Sequence, residues 1–141
     1  MPIKLIIAGG RHGHIRIDQL LVLDYIVDSI RPVEIVNGGA TGIDEDARNW
    51  AKQRKLPLSV FPADWETHGR SAGPIRNKEM AEYADALIAF PGGRGTENMR
   101  GEARSAGLPI LVIEDGATLY DMVTFINILT GRAFGHPGTT E

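Results

Sequence analysis

The chain has 141 residues, 43% of them hydrophobic and 23% charged, with a formal net charge of −3 and no cysteine. That length supports one domain with a sizeable core and falls short of two ordinary ones. The acidic balance gives no bulk attraction to nucleic acid or an anionic membrane, and the lack of cysteine excludes disulfides, thiol nucleophiles and thiolate metal sites.

In chain order, Lys4 to Ala8 is a continuous apolar run stopped by glycines, the pattern of a fully buried strand. It is too short for a signal-peptide core, and no apolar run approaches the ~18 residues that span a bilayer, so a cytoplasmic protein is expected. Gly9 to His14 follows as a loop. Ile17 to Ile30 carries apolar residues at helical spacing, with Asp18, Asp24 and Asp28 outside the stripe, and Arg31-Pro32 ends it. Val33 to Val36 is a second strand, opening into Asn37-Gly38-Gly39-Ala40-Thr41-Gly42. Ile43 to Arg54 is a helix with Asp44, Glu45 and Asp46 in its first turn, where negative charge suits the helix dipole. Leu58 to Phe61 is a third strand. Residues 62–74 read as a long polar connection carrying Asp64 and Trp65, of the kind that is functional or disordered. A helix over Ile75 to Ala84 and a strand over Ala86 to Phe90 precede the turn Pro91-Gly92-Gly93-Arg94-Gly95-Thr96. A helix over Glu97 to Ala106, a strand over Ile110 to Ile113 and a helix over Leu119 to Leu129 complete the pattern. The residues from 131 onward read as a mobile tail rich in Gly, Pro and Thr.

Strands that are apolar throughout and alternate with helices predict a parallel sheet covered on both faces: an α/β, three-layer Rossmann-like sandwich of about five strands in a single domain. The loops at 9–14, 37–42, 62–74 and 91–96 all leave the carboxyl ends of strands, where such sheets bind ligands. Gly9 to His14 is out of register with G-x-G-x-x-G, and residues 37–44 lack the Gly-Lys-Ser/Thr of a triphosphatase loop. Backbone amides beside these glycines, at the starts of helices, suit a phosphate. Thr41 and Asp44 read either as helix caps or as ligand groups. Arg76 reads either as a bidentate clamp for phosphate or carboxylate or as a solvated charge, and the same choice applies to Asn77. Trp65 reads as a stacking platform or as an anchor for its loop. The four histidines lack metal-ligand spacing, so no metal is assigned, and no cofactor is expected.

Ser71 to Met80 and Phe90 to Thr96, with Ala8 to Arg11, Gly38 to Asp44 and Phe61 to Trp65, resemble the SLOG superfamily. That group joins the DNA-processing protein DprA/Smf to the Lonely Guy (LOG) proteins. The resemblance is closest to the YspA/YpsA-related branch, a domain of unknown function common in phages and mobile elements. It spans residues 3 to about 113 and implies a Rossmann-like fold that binds nucleotides or nucleotide-derived ligands. LOG enzymes hydrolyse the N-glycosidic bond of nucleoside monophosphates, and their motif is similar to Pro-Gly-Gly-x-Gly-Thr-x-x-Glu. Here Pro91 to Thr96 match it and Arg76 matches an upstream arginine, while Met99 occupies the position of the catalytic glutamate. Glu97, two residues earlier, falls on a different helical face.

The leading expectation is a module that holds a phosphorylated nucleotide derivative as a sensor or sequestering protein. Gly10, Gly38, Gly39, Thr41, Pro91, Gly92, Gly93, Gly95 and Thr96 would line its phosphate region. Arg11, Arg76 and Asn77 would meet charge, Asp44 and Asp64 would complete the polar wall, and Trp65 would cover a base. The alternative is a nucleotide N-glycosidase with Arg76 and Glu97 as its catalytic pair and Asp44 or Asp64 as further carboxylates. A third reading is DprA-like binding of single-stranded DNA, against which the net charge and the lack of a Lys/Arg cluster weigh. The apolar last helix, with Met122, Val123, Phe125, Ile126 and Leu129, exceeds one stripe and reads either as the interface of a homo-oligomer or as simple packing against the sheet edge.

Overall fold

The computed structural model describes residues 1–114 and 118–131. Five parallel strands, β1 (Ile3–Ala8), β2 (Val33–Asn37), β3 (Leu58–Val60), β4 (Ala86–Ala89) and β5 (Ile110–Val112), form one sheet in the order β3-β2-β1-β4-β5. The chain builds outward from β1 to β3, then returns to place β4 on the other side of β1. The order therefore reverses between β1 and β4, and a crevice opens at their carboxyl ends.

Alternation along β1 sorts the core. Leu5 and Ile7 face one side and Ile6 and Ala8 the other, as the two-residue period of a strand requires. The first face packs beneath α1 (Ile17–Ile30), α2 (Ile43–Gln53) and α6 (Leu119–Thr130). The second packs beneath α4 (Ala72–Tyr83) and α5 (Arg94–Ser105). Leu5, Ile6, Ile7, Ile35, Leu87 and Ile88 are fully buried, each contributing about 1.5–3 kcal/mol on removal from water. Asp24 of α1 accepts from Trp50 Nε1 at 2.9 Å and from Arg54 at 2.8 and 2.9 Å, fastening α1 to α2. Thr118 and Asp121 cap α6 reciprocally, each side chain meeting the other's amide at 3.1 Å.

Three expected boundaries move. The connection after β3 is ordered: Asp64 accepts from Thr67 N at 3.1 Å and caps the short helix α3 (Trp65–His68), and a 3₁₀ turn follows at Gly69–Ser71. Helix α4 starts at Ala72 rather than Ile75, because Pro74 sits in its first turn, where a missing N–H costs nothing. Helix α5 starts at Arg94 rather than Glu97, with Gly93 as its N-cap residue, so Gly95 and Thr96 are helical rather than part of the turn. The surplus expected on α6 also lies elsewhere. Phe125 and Ile126 are buried and Met122 and Leu129 pack against the core, whereas Leu119, Tyr120 and Ile128 are exposed. Past Gly131 the expected tail lies outside the described residues. Among the described residues no helix is long and apolar enough to cross a membrane, and no group of three or more histidines and carboxylates is placed to hold a metal.

Candidate functional site

The rim of the crevice is built by loops that bond to one another. Gly10 N donates to Pro91 O at 2.9 Å and Ile43 N donates to Gly10 O at 3.1 Å, so the loops after β1, β2 and β4 meet at Gly10. Gly42, at φ +73°, lies so close to Gly10 that a Cβ would fall 2.4 Å from its carbonyl oxygen. That closeness is packing between loops rather than room for a ligand.

Asn37, the last residue of β2, shapes the next turn. Its side chain is fully buried. Oδ1 accepts from Gly39 N at 2.8 Å and Arg48 Nη1 at 3.3 Å, and Nδ2 donates to Asp44 O at 3.0 Å. Arg48 Nη1 also donates to Ala40 O at 2.9 Å. With the turn so fixed, Asp44 Oδ2 accepts from Ala40 N at 3.2 Å. Burial pushes the Asp44 carboxyl above the ordinary carboxylate value of 3.8, and the amides of Ala40 and Gly38 with the charges of Arg76 and Arg48 only partly oppose it. Neither Thr41 nor Asp44 caps α2. Gly42 is the N-cap residue, and Thr41 Oγ1 donates to Arg11 O at 3.2 Å.

Arg76 crosses the crevice from α4. Its Nε donates to Asn77 Oδ1 at 2.9 Å, and Nη1 donates to Gly38 O and, at 3.3 Å, to Phe61 O. Burial lowers its pKa, nearby Asp44 raises it and Arg11 lowers it further, yet a guanidinium stays protonated at any physiological pH. Asn77 Nδ2 donates to Asn98 Oδ1 at 2.9 Å and Gly95 O at 3.3 Å, so Asn77 ties α4 to the start of α5. The Arg11 guanidinium lies 5.6 Å from the centroid of the half-exposed Trp65 ring, a cation–π contact.

Two adjoining lobes result. The inner lobe, about 300 Å³, takes Gly10, Arg11, Gly38, Asp44, Arg76, Asn77, Gly93, Gly95 and Thr96 of the expected residues. The outer lobe, about 330 Å³, takes Gly39, Thr41 and Trp65, and shares Arg11, Gly38 and Arg76 with the inner one. Four expected residues line neither lobe. Asp64 is spent as the cap of α3, and Pro91 accepts from Gly10. Gly92 presses on Thr96, where a Cβ would fall 2.1 Å from Oγ1. Glu97 is exposed and pairs with Arg100 at 3.7 Å. Gly93 and Gly95 differ from the packed glycines, since nothing lies within 4 Å of where their Cβ would be.

Sequence reasoning missed Arg94, His12, Met80 and Met99 as walls of the inner lobe and Arg48 as a brace. Arg94 stands inside the glycine turn, where the glycines signal a role for the backbone rather than for a side chain. Arg48 stands four residues after Asp44, a spacing that puts both on one helical face. Met99 is 2% exposed and packs among Ile6, Met80 and Leu87, so a thioether stands where the LOG motif carries a carboxylate.

A five-stranded parallel sheet, helices on both faces and a cleft at the switch point define a Rossmann-like α/β protein. The fold also superposes on the X-ray structure of DNA processing protein A (DprA) from Streptococcus pneumoniae, with a TM-score of 0.63 and 17% identity. That match covers 92% of this chain and 56% of DprA, so the chain spans little more than half of that protein. The model of the YspA, cpYpsA-related SLOG family matches residues 3–68. Over 124 residues the chain is 37% identical to the Gene 61 protein of Mycobacterium phage D29, covering 79% of this chain and 97% of that one. The chain belongs to the YspA, cpYpsA-related SLOG family.

Proposed function

We propose that the protein binds a phosphorylated nucleotide or nucleotide-derived ligand in this cleft, holding it as a sensor or sequestering protein does. One observation carries the reading: the open N-terminal turn of α5, at Gly93 and Gly95, and the Arg76 guanidinium line the same inner lobe. Unpartnered amides at a helix start and a planar cation in the same lobe suit a phosphate. Membership of a SLOG family supports a nucleotide-related role in general.

Hydrolysis of an N-glycosidic bond is the second reading, and Asp44 is the observation that favours it. Among the described residues it is the one carboxylate lining the cleft, and its raised pKa suits proton transfer. Against it stand Met99 at the LOG glutamate position and Glu97 on the solvent side. Incubating the purified protein with AMP, NAD and ADP-ribose separates the two. Binding by titration calorimetry with no free base or ribose 5-phosphate is the expected result, and Arg76→Ala should weaken it about tenfold or more. Release of base that Arg76→Ala or Asp44→Asn abolishes would establish the hydrolase instead.

A further inference from the structure

The sheet ends at β5, and that edge is left ready to pair. Leu87 N donates to Pro109 O at 3.0 Å and Ile113 N donates to Ala89 O at 2.8 Å, so every second residue of this stretch spends its backbone groups on β4. The N–H and C=O groups of Ile110 and Val112 point the other way, and among the described residues no strand lies there. Sheet edges that stay in water are blunted by a charge, a bulge or a proline. β5 carries Ile110, Leu111 and Val112 in a row, and Pro109 does not block it, because its own backbone faces β4. β3, at the opposite edge, is interrupted by Ser59, whose hydroxyl donates to Glu34 at 2.7 Å.

Helix α6 leaves a groove along the same edge. A cavity of about 370 Å³ is lined by Ile110 and Val112 of β5 and by Tyr120, Thr124, Phe125 and Ile128 of α6. Tyr120 and Ile128 are exposed, and Thr124 stands midway between them at four-residue spacing, so the three form one line along the helix. Thr124 Oγ1 is buried and, among the described residues, has no hydrogen-bond partner. A helical hydroxyl has an acceptor at hand in the carbonyl four residues back. Thr130 of the same helix takes it, donating to Ile126 O at 2.8 Å, and Ser29 of α1 donates likewise to Tyr25 O at 2.8 Å. Thr124 does not, although an unmet buried hydroxyl is costly.

We infer that this edge is covered by a second copy of the chain, joined about a two-fold axis at Leu111 with β5 antiparallel to the β5 of its partner. Ile110 then exchanges both outward backbone hydrogen bonds with the partner's Val112, and Val112 does the same with the partner's Ile110. An axis normal to the sheet keeps like faces on one side, so the two α6 helices also meet antiparallel above it. Tyr120 meets the partner's Ile128, and Thr124 meets the partner's Thr124, where each hydroxyl finds the other. Asp121, the one charged residue lining the groove, comes opposite the partner's Asn127 rather than a second carboxylate. A strand from another protein would satisfy the amides of the edge, but an identical copy also returns the same helix positions in reverse order. Each copy uses its edge once, so the assembly closes at two.

Light scattering on the full chain across a dilution series tests it, and twice the mass of one chain is expected at micromolar concentration. Val112→Pro removes an N–H that a single copy leaves in water, and Ile128→Lys sets a charge on the exposed helix line. Each should weaken the pair about tenfold or more while the variant keeps a cooperative unfolding transition. The chain has no cysteine, so Thr124→Cys gives each copy a single thiol at the axis. Under a copper–phenanthroline oxidant it should link two copies far faster than Tyr25→Cys, a half-exposed position on α1. This comparison decides the matter if Val112→Pro disturbs the fold. The mass of one chain at every concentration overturns the inference. So does a pair that both Val112→Pro and Ile128→Lys leave intact, or a Thr124→Cys variant that links no faster than Tyr25→Cys.

Discussion

At the scale of single residues, two side chains combine burial with charge, and each makes a separable prediction. Asp44 is 6% exposed and its folded pKa is raised, burial being the main cause. The folded state therefore keeps this proton at pH values where the unfolded chain has lost it. Stability from this group falls as pH rises from the ordinary value of 3.8 through the raised folded value, and is level above that. Asp44→Asn keeps an acceptor for Ala40 N and removes the titration. Relative to the parent, the variant should gain stability across that window and show no gain below it, as urea midpoints measured at a series of pH values will report. Gly38→Ala probes Arg76 without altering it. A Cβ there would lie 2.5 Å from Arg76 Nη1 and 2.8 Å from Cζ. The clash is with the end of a flexible side chain, so the fold survives with a loss of about 1–2 kcal/mol. Arg76 is displaced, and calorimetry should find ligand affinity reduced as far as in Arg76→Ala. An unchanged affinity would place the ligand away from this guanidinium.

At the scale of elements, the contact between α1 and α2 rests on Asp24. Its partners differ in worth. Trp50 is 3% exposed and would be left with a buried, unpaired N–H, while the side chain of Arg54 is 40% exposed and returns to water at little cost. Asp24→Ala should therefore cost about 1–2 kcal/mol, nearly all through Trp50. The Arg54 and Trp50 bonds hold the Asp24 pKa below 3.8 against the opposing effect of burial. That stabilisation is complete above the unfolded value and is lost as pH falls through the folded one. The difference between parent and variant should accordingly shrink in acid, again by urea midpoint. The same scale shows what was legible beforehand. Strands and long helices announced themselves through continuous apolar runs and 3.6-residue spacing. The start of α5 did not, because Gly93, Arg94 and Gly95 have no apolar period, and its position follows from the Gly93 cap. Helix α3 is four residues long, too short to show any period, and only Asp64 three residues before Thr67 marked it.

At the scale of the molecule, the alternating pattern made the parallel sheet and the ends of its strands readable, and with them the loops that meet at the rim. The roles of the glycines within those loops were not readable, because composition cannot tell a glycine that admits another loop from one that admits a ligand. Gly42 and Gly92 are packed against other parts of the chain, whereas Gly93 and Gly95 border open space. This division yields a prediction that spans the chain. β1 is hydrogen-bonded on both sides, to β2 and β4, and its side chains enter both core clusters. Its release to solvent requires the whole sheet to open, so amide exchange should be slowest at Leu5 to Ala8. The three-residue edge strand β3 should exchange faster, being paired on one side only. Adding ADP-ribose should slow exchange in the two glycine turns that line the cleft, residues 38–41 and 93–96, and leave Ile110 to Val112 on the far edge unchanged. Protection that appears on β5, or that spreads evenly over the sheet without favouring the two glycine turns, would mean that the ligand sits elsewhere and that the convergence of loops at Gly10 serves the fold alone.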